Sequence, residues 1–159
     1  MDEVAPYAFA GCNQLEYFEM PISVTNIGNY AFNGCHKLLS NVEQQYKDQM
    51  FAHVQFIGQS AFMQSGIKGN LRIGGSVIEI AIYAFAQCEG ITKIEFGSSS
   101  EVSQLQVLVS NSFYACKPEE VWYYILSADA NRWEGYKNNK VYGFDNAVSV
   151  VYQPVTREA

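Results

Sequence analysis

Charged residues are scarce in this chain of 159 residues, and basic residues are the scarcer kind. Only 16% of the residues are charged, and 10 Lys and Arg stand against 16 Asp and Glu, which gives a formal net charge of −6. A chain of this charge is repelled by phosphate backbones and by anionic lipid headgroups. Composition therefore argues against nucleic acid or a membrane surface as the partner.

Long apolar runs are missing as well. No stretch approaches the roughly 18 apolar residues that a membrane-spanning helix requires, and Met1-Asp2-Glu3 is acidic where a signal peptide is basic. We therefore expect no membrane insertion by this segment. The 48% of hydrophobic residues are enough for the core of one folded domain.

Residues that usually carry catalysis or bind cofactors are few. The chain has 2 histidines, and its 4 cysteines do not follow a spacing typical of metal sites. Cys35 and His36 are adjacent in sequence, and such neighbours seldom face each other as nucleophile and base. Gly74-Gly75 lacks the Lys-Ser/Thr of a phosphate-binding loop. We therefore expect no enzymatic activity, no metal site and no cofactor.

The chain does contain a repeat. The pattern Ile-x-x-x-Ala-Phe-x-x-Cys recurs with its phenylalanine at Phe9, Phe32, Phe62, Phe85 and Phe113, at spacings of 23, 30, 23 and 28 residues. An aliphatic residue stands five positions before each Phe, and alanine or serine stands directly before it. The third position after Phe is cysteine, except for Ser65 in the third coil. Every cysteine of the chain thus occupies the same register position.

The segment after each cysteine has the alternation of a short strand. It is clearest at residues 15–20 and 91–96, where the apolar positions are separated by polar ones and a Pro or Gly follows. A unit of about 23 residues with one short strand cannot bury its apolar side alone, so successive units must stack. We therefore expect a solenoid in which the five phenylalanines form a column through the stack.

These residues resemble a known family. The stretch from 15 to 35 follows the pattern of the BspA-like, Treponema-type leucine-rich repeats almost position for position, with Pro21, Val24, Ile27-Gly28, Ala31-Phe32 and Cys35. The resemblance covers roughly residues 4 to 125 and weakens at Ser112-Phe113. It implies a right-handed leucine-rich-repeat superhelix of short parallel β-strands, with an irregular, 3-10 or short helical convex side and about five coils.

The resemblance also implies a function. It predicts a non-catalytic module at the cell surface or secreted, which mediates adhesion or host interaction by binding a protein, such as a host extracellular or matrix protein. A structural spacer that displays another domain of a longer chain is the alternative. Because the chain begins halfway through a repeat, we expect either that the native protein continues towards the N-terminus or that the first coil is left open.

On a solenoid the ligand usually binds the strand face, whose outward side chains are the polar positions between buried ones. The candidate positions on this face are Glu16, Tyr17, Glu19, Arg72, Thr92, Lys93 and Glu95. Tyr17 and Arg72 have priority, because aromatic and Arg side chains dominate the energetics of interfaces. The alternative is a face that is merely solvated.

Both longer intervals carry their extra residues after the strand, so residues 41–53 and 97–101 should project from one edge of the stack. Tyr46, Lys47 and Asp48 are therefore candidate ligand-binding residues on an edge loop. The alternative is that the longer insertion forms a short helix that covers a gap left by the weak second strand.

The period ends near residue 125. We expect a solenoid over 1–125 and a capping segment of the same domain over 126–159, with a strand at 121–125, a short helix at 128–136 and a strand at 148–152. Trp122 and Trp133 either seal the last coil or form an exposed platform.

The cysteines allow two interpretations. Stacked rungs are close enough for the bridges Cys12–Cys35 and Cys88–Cys116. However, a cysteine at one repeat position in several coils is also typical of a small buried hydrophobe, and Ser65 is accepted at that position. We therefore expect free, buried thiols rather than disulfides.

Overall fold

The computed structural model describes residues 2–126 and the backbone of residues 149–155. The elements in chain order are β1 (Glu3–Val4), β2 (Asn26–Ile27), α1 (Gln44–Met50), β3 (Phe56–Ile57), β4 (Gly69–Ile73), β5 (Glu79–Ile80), β6 (Ile91–Phe96), β7 (Val107–Leu108), β8 (Glu120–Leu126) and β9 (Ser149–Val155). The named strands pair in parallel throughout.

The strands form two walls of a solenoid. The short-strand sheet has the order β1-β2-β3-β5-β7, and the long-strand sheet has the order β4-β6-β8-β9. Register follows the repeat, since Ile27 pairs with Ile57 and Ile57 pairs with Ile80, each five positions before the phenylalanine of its coil. The predicted solenoid of about five coils with short parallel strands is therefore confirmed.

The repeated phenylalanines form the predicted column. Successive rings of Phe9, Phe32, Phe62, Phe85 and Phe113 stack with centroids 5.0–5.2 Å apart and planes within 11° of parallel. The last four rings are fully buried. Burying each such side chain contributes about 1.5–3 kcal/mol, so the column is a main source of the stability of the stack.

The backbone beside the column explains the alanine of the repeat. The N–H of Phe32 donates to the carbonyl of Ala61 at 2.8 Å, and the N–H of Phe62 donates to the carbonyl of Ala84 at 2.7 Å. These bonds hold neighbouring coils close together at the alanine, whose side chain is buried beside the phenylalanine rings. Ala31, Ala61 and Ala84 are 0% exposed there, so a larger residue would have to displace the phenylalanines.

The cysteines form a second ladder along the stack. The thiols of Cys35, Cys88 and Cys116 donate to the carbonyl of the column phenylalanine one coil earlier, at 3.1, 3.1 and 2.9 Å. All four cysteines are free, and these three are buried, as predicted. The expectation of burial is wrong for Cys12, which is exposed; within residues 2–126 no earlier coil supplies a phenylalanine carbonyl for its thiol.

Each coil holds two residues in the left-handed backbone region, two positions before and two positions after the phenylalanine. They are Tyr7, Tyr30, Ser60, Tyr83 and Asn111 before it, with φ of 53–62°, and Gly11, Gly34, Gln64, Gln87 and Ala115 after it, with φ of 57–77°. Left-handed φ costs a non-glycine residue roughly 1–2 kcal/mol. The backbone therefore turns twice in each coil. Only the two glycines among these ten positions adopt the left-handed conformation without this cost.

The extra residues of the second coil form α1, so the helical alternative is the correct one. The helix stands where the second coil would supply a strand, and it buries Met50. Phe51 follows it and packs against two rings of the column, Phe62 at 5.2 Å and Phe85 at 5.8 Å. The hydrophobic end of the insertion thus anchors the helix in the core.

The remaining predicted elements are confirmed only in part. The strand predicted at 15–20 is wrong, because α1 lies where its hydrogen-bonding neighbour would be and the segment joins no ladder. The strand predicted at 121–125 is found as β8, and the last strand occupies Ser149–Val155 rather than 148–152. The shorter insertion is a turn with a bridge between Ser98 and Glu101. The predicted helix at 128–136 and Trp133 lie outside the described residues.

Candidate functional site

The outward side of the long-strand sheet is continued by α1 and by residues 16–19, whose Tyr17 contacts Tyr46 of α1. We call this surface the candidate face. Its members are Glu16, Tyr17, Glu19, Tyr46, Asp48, Asn70, Arg72, Lys93, Glu95, Glu120, Trp122 and Tyr124. In the sheet they alternate with buried residues, and the ladder aligns Arg72 with Glu95 and Glu95 with Trp122. Sequence reasoning thus placed Arg72, Lys93 and Glu95 on the correct side of the sheet.

Glu95 lies at the centre of a hydrogen-bonded network on this face. Its Oε1 accepts hydrogen bonds from Asn70 Nδ2 at 2.7 Å and from Arg72 Nη2 at 3.2 Å, and its Oε2 accepts one from the Tyr124 hydroxyl at 2.8 Å. The ammonium of Lys93 lies 3.9 Å from Oε1. Because of these partners Glu95 is only 3% exposed, so the expectation of a freely projecting ligand contact is wrong for it.

The same network fastens α1 to the sheet. Arg72 Nη1 donates to Asp48 Oδ2 at 3.2 Å, so one guanidinium bridges carboxylates of the helix and of β6. Gln44 donates from Nε2 to Asp48 at 2.7 Å and to the carbonyl of Asn70 at 2.9 Å. Arg72 and Asp48 were predicted as binding residues, and the structure brings them together as a fixed pair at the centre of the candidate face.

The environment of Glu95 favours its charged form. Burial alone would raise its pKa, but the hydrogen bonds from Asn70 and Tyr124 and the positive charge of Arg72 outweigh burial and lower the pKa. The same contact acts oppositely on the phenol. Burial, together with the hydrogen bond to Glu95 and its negative charge, raises the pKa of Tyr124 to about 12. The network therefore keeps one stable pattern of protonation around neutral pH.

Trp122 and Tyr124 supply the aromatic surface beside this network. Their ring centroids lie 6.2 Å apart, and the ammonium of Lys93 lies 4.9 Å from the centre of the Trp122 ring. Both aromatic side chains are half-buried on the outward side of β8. Asn70 and Tyr124 were not identified from sequence, although the alternation of β8 could have indicated Tyr124.

A second aromatic group lies at the other end of the face. Tyr17 and Tyr46 meet edge to face at a centroid distance of 5.6 Å, and Tyr46 is 45% exposed. Burial and the nearby Glu19 carboxylate raise the pKa of Tyr17, so its hydroxyl stays neutral. Glu16 and Glu19 are exposed beside the pair. The structure thus brings together residues that the sequence placed on separate features, a strand and an edge loop.

Lys47 does not belong to the exposed part of this surface, contrary to expectation. It is 7% exposed, and its ammonium donates to the carbonyl of Lys68 at 2.7 Å, just before β4. Burial lowers its pKa. Lys47 therefore serves as a hydrogen-bond donor to the backbone at the start of β4. Thr92 is exposed as expected, and it lies at the shift in register between β4 and β6.

Within residues 2–126 the structure contains no group of three His, Cys, Asp or Glu that could hold a metal ion. In the same part of the chain no helix is both long enough and apolar enough to cross a membrane. What the described face offers chemically is a set of aromatic surfaces, carboxylates and fixed hydrogen-bonding groups. Of these groups, the aromatic side chains and Arg72 are of the residue types that are enriched at protein–protein interfaces.

The pattern of the BspA type leucine-rich repeat region matches residues 2–123 in 6 copies. Among solved structures, the chain is similar to a leucine-rich repeat protein from Bacteroides ovatus ATCC 8483, with 18% identity and a TM-score of 0.49. That similarity covers 96% of this chain and 41% of the Bacteroides protein. No curated protein matches the chain.

Proposed function

Because the chain belongs to the family of BspA-type leucine-rich repeats, whose solenoids are protein-interaction repeats and typically not enzymes, we propose that it is a non-catalytic protein-binding module that holds its partner on the candidate face. The partner is a protein, and its contacts are made by outward side chains of the long-strand sheet and α1. Stacked repeats build extended surfaces suited to such contacts.

The observation that carries this proposal is the network around Glu95. Asn70, Arg72 and Tyr124 hold that carboxylate from three positions, so the outward side chains of three strands have fixed places. A surface that is ordered before binding loses less conformational entropy when the partner arrives. Beside it stand half-exposed Trp122 and Tyr46, the residue types that contribute most at interfaces.

We also propose that this binding takes place at the cell surface or after secretion, in adhesion or host interaction, with an extracellular or matrix protein as the partner. Support comes from the kinship with BspA-type repeats and from the net charge of −6, which disfavours nucleic acid as a partner.

A solid-phase binding assay against a panel of extracellular matrix proteins tests the proposal. The variants are Tyr46→Ala and Trp122→Ala on the candidate face, and the matched control is Tyr114→Ala, since Tyr114 is 50% exposed outside this face. We expect wild type and the control to bind equally, and each face variant to bind at least about tenfold more weakly while its melting temperature is retained.

Binding that is equally sensitive to Tyr114→Ala would contradict the choice of face. Absence of binding to every matrix and cell-surface protein, together with a catalytic or other domain in the full-length gene, would favour a structural spacer instead. The two outcomes are separable because the first requires a partner and the second requires that none is found.

A further inference from the structure

The corner of the third coil, the segment that follows the cysteine position, is shorter than the corners of the coils on either side. In the second coil Leu38 N donates to the carbonyl of Cys35 at 3.1 Å, which closes a turn of two outward residues, and the fourth coil repeats this turn with a bond of 3.3 Å. In the third coil only Gly66 separates Ser65 from the buried Ile67. The outward turn is therefore missing from the middle of the stack.

The missing turn leaves a groove of about 660 Å³ between the turns of the second and fourth coils. Gly66 lies at its floor, so close to the second coil that a Cβ atom there would overlap the carbonyl oxygen of His36. At one end Gln64 Nε2 donates to Gln87 Oε1 at 2.6 Å. Neighbouring rungs lie about 4.8 Å apart, so the space between the two flanking turns is one rung wide and admits one extended backbone.

Hydrogen-bond donors without an acceptor line both flanks of this groove. The backbone N–H groups of His36 and Lys37 on one flank, and those of Glu89 and Gly90 on the other, donate to no acceptor within residues 2–126. Successive free N–H groups in a turn form a concavity that binds anions. The groove therefore favours a ligand that is rich in acceptors.

The side chains of the groove add positive charge. Its lining contains Lys37, Lys68 and a single carboxylate, that of Glu89, so two positive charges and one negative leave +1 with histidine neutral. The ammonium of Lys68 forms no ion pair in the described part of the chain, and its stem lies over Gly90, where a Cβ atom would come within 2.8 Å of Lys68 Cγ. Lys37 donates to Gln14 at 3.0 Å and keeps two further N–H donors.

We propose that this groove binds an extended segment of a protein partner that carries a single Asp or Glu among uncharged residues. The segment takes the place of the missing turn. Its carboxylate pairs with Lys68, and its backbone carbonyls accept hydrogen bonds from the free N–H groups of the flanking turns. The inference rests on the proposed function in that the partner is a protein, and it adds a contact at the start of β4 and β6, beside the candidate face.

Charge decides which anion fits the groove. The chain has a net charge of −6, which repels acidic ligands at long range. At physiological ionic strength, charges beyond about 8 Å are largely screened, so the two lysines dominate inside the groove. One carboxylate neutralises the lining charge of +1, whereas a doubly charged phosphate or a sulfated polysaccharide would leave excess negative charge beside Glu89. The groove therefore favours a peptide segment with one acidic residue.

Titration of the ¹⁵N-labelled chain, followed by amide NMR spectra, tests the inference because it observes the free N–H groups directly. The probe is a peptide of about five residues, a short strand, with blocked ends and one central glutamate among serine and glycine. Two counterparts replace the glutamate by glutamine or by phosphoserine. Free glucuronate supplies a carboxylate without a peptide backbone.

The variants are matched in pairs. Lys68→Gln and Glu89→Gln change the lining, and Lys117→Gln and Glu119→Gln make the same changes at the corner of the fifth coil, at exposed residues that do not line the groove. Inserting one glycine after Gly66 gives the third coil the two-residue turn of its neighbours and should fill the groove.

We expect the glutamate peptide to bind wild type with a Kd of about 1 mM and to shift the amide signals of the four flanking residues. Lys68→Gln should weaken binding about fivefold, as expected for the loss of one ion pair, and Glu89→Gln should strengthen it about twofold. Lys117→Gln and Glu119→Gln should leave the affinity unchanged. The variant with the inserted glycine should not bind.

Equal binding of the glutamine peptide, or equal weakening by Lys68→Gln and Lys117→Gln, would overturn the inference. Tighter binding of the phosphoserine peptide or of glucuronate would assign the groove to another kind of anion and would likewise overturn it. If the insertion prevents folding, the contrast between Lys68→Gln and Lys117→Gln decides alone.

Failure here and failure of the proposed function are distinguishable. If the glutamate peptide does not bind while Trp122→Ala still weakens binding to a matrix protein, the proposed function stands and the groove is not a contact for an acidic segment. If the peptide binds as expected but Trp122→Ala affects no protein partner, the groove stands and the choice of the candidate face is wrong.

Discussion

The hydroxyl of Tyr124 donates a 2.8 Å hydrogen bond to Glu95, a residue one coil earlier on the neighbouring strand of the long-strand sheet. That bond closes a network which already ties Glu95 to Asn70 and Arg72 on the strand before. Three successive strands are thus joined by side chains as well as by their ladders. The candidate face owes its order to this arrangement.

Replacing Glu95 tests how much the network contributes. Glu95→Ala leaves the Asn70 amide, the Tyr124 hydroxyl and one side of the Arg72 guanidinium without their partner. We expect a loss of about 2 kcal/mol in the free energy of unfolding. The loss is no larger because water can still solvate part of Arg72. Urea denaturation measures it. The exposed Glu89→Ala is the control and should change stability by less than about 0.5 kcal/mol. Equal effects of the two substitutions would show that the network is not stabilising.

The pH dependence of that stabilisation has a definite sign. The pKa of Glu95 is lower in the folded chain, so its contribution is fully present above the unfolded value of about 4.3 and is lost as pH falls through the folded value. The difference in unfolding free energy between wild type and Glu95→Gln should therefore shrink as pH is lowered from about 5 towards 3. Denaturant titrations at a series of pH values measure this difference. A constant or widening difference would contradict the assignment.

The alignment of equivalent residues in successive coils could be predicted from the sequence, and the reason is steric. The interior of the stack admits the same side chain at the same height of every coil, so Phe32, Phe62 and Phe85 recur with an alanine before each ring. Local spacing alone therefore locates the column, the small residues beside it and the buried thiols.

Only part of the candidate face could be predicted from the sequence. Outward positions such as Arg72 and Glu95 follow from alternation, but whether an outward side chain is exposed depends on neighbours in other coils. Glu95 is covered by Tyr124, 29 residues later in the chain, and Lys47 is buried by a bond to Lys68, 21 residues later. The first contact crosses from β8 to β6, and the second depends on the path of the insertion that forms α1. No local sequence pattern encodes either contact.

The column predicts a clear contrast between two phenylalanines of the same coil. Phe62 is fully buried between Phe32 and Phe85, whereas Phe56 is 38% exposed. Truncating a large buried ring to alanine costs about 3–5 kcal/mol, so Phe62→Ala should lose that much or fail to fold, and Phe56→Ala should lose clearly less. Thermal unfolding followed by circular dichroism measures both. Similar losses would indicate that the rings do not form the core of the stack.

A stabilising substitution is available at Ala115. Its φ is +62°, and the equivalent residue of the second coil is Gly34. Ala115→Gly removes about 1–2 kcal/mol of left-handed strain against about 0.5–1 kcal/mol of added unfolded-chain entropy, so a net gain of about 0.5–1 kcal/mol is expected. Ala81→Gly, at a residue outside the left-handed region, is the control and should destabilise the chain. Destabilisation by both substitutions would refute the strain argument.

Lys47 should matter for the edge of the sheet rather than for binding. Lys47→Met keeps the aliphatic length but removes the donor for the carbonyl of Lys68, and we expect a loss of about 1–2 kcal/mol in unfolding free energy. Affinity for a protein partner, measured by the solid-phase assay on folded protein, should be unchanged. A loss of affinity without a loss of stability would place Lys47 in the interface after all.

Site-specific photocrosslinking tests the binding account most directly. Benzoylphenylalanine is placed at Tyr46 or Trp122 on the candidate face, or at Tyr114, a tyrosine of similar exposure outside it, and the products formed with extracellular protein extracts are identified by mass spectrometry. The account predicts the same protein crosslinked from both face positions and not from Tyr114. A partner captured from Tyr114 and from neither face position would contradict it.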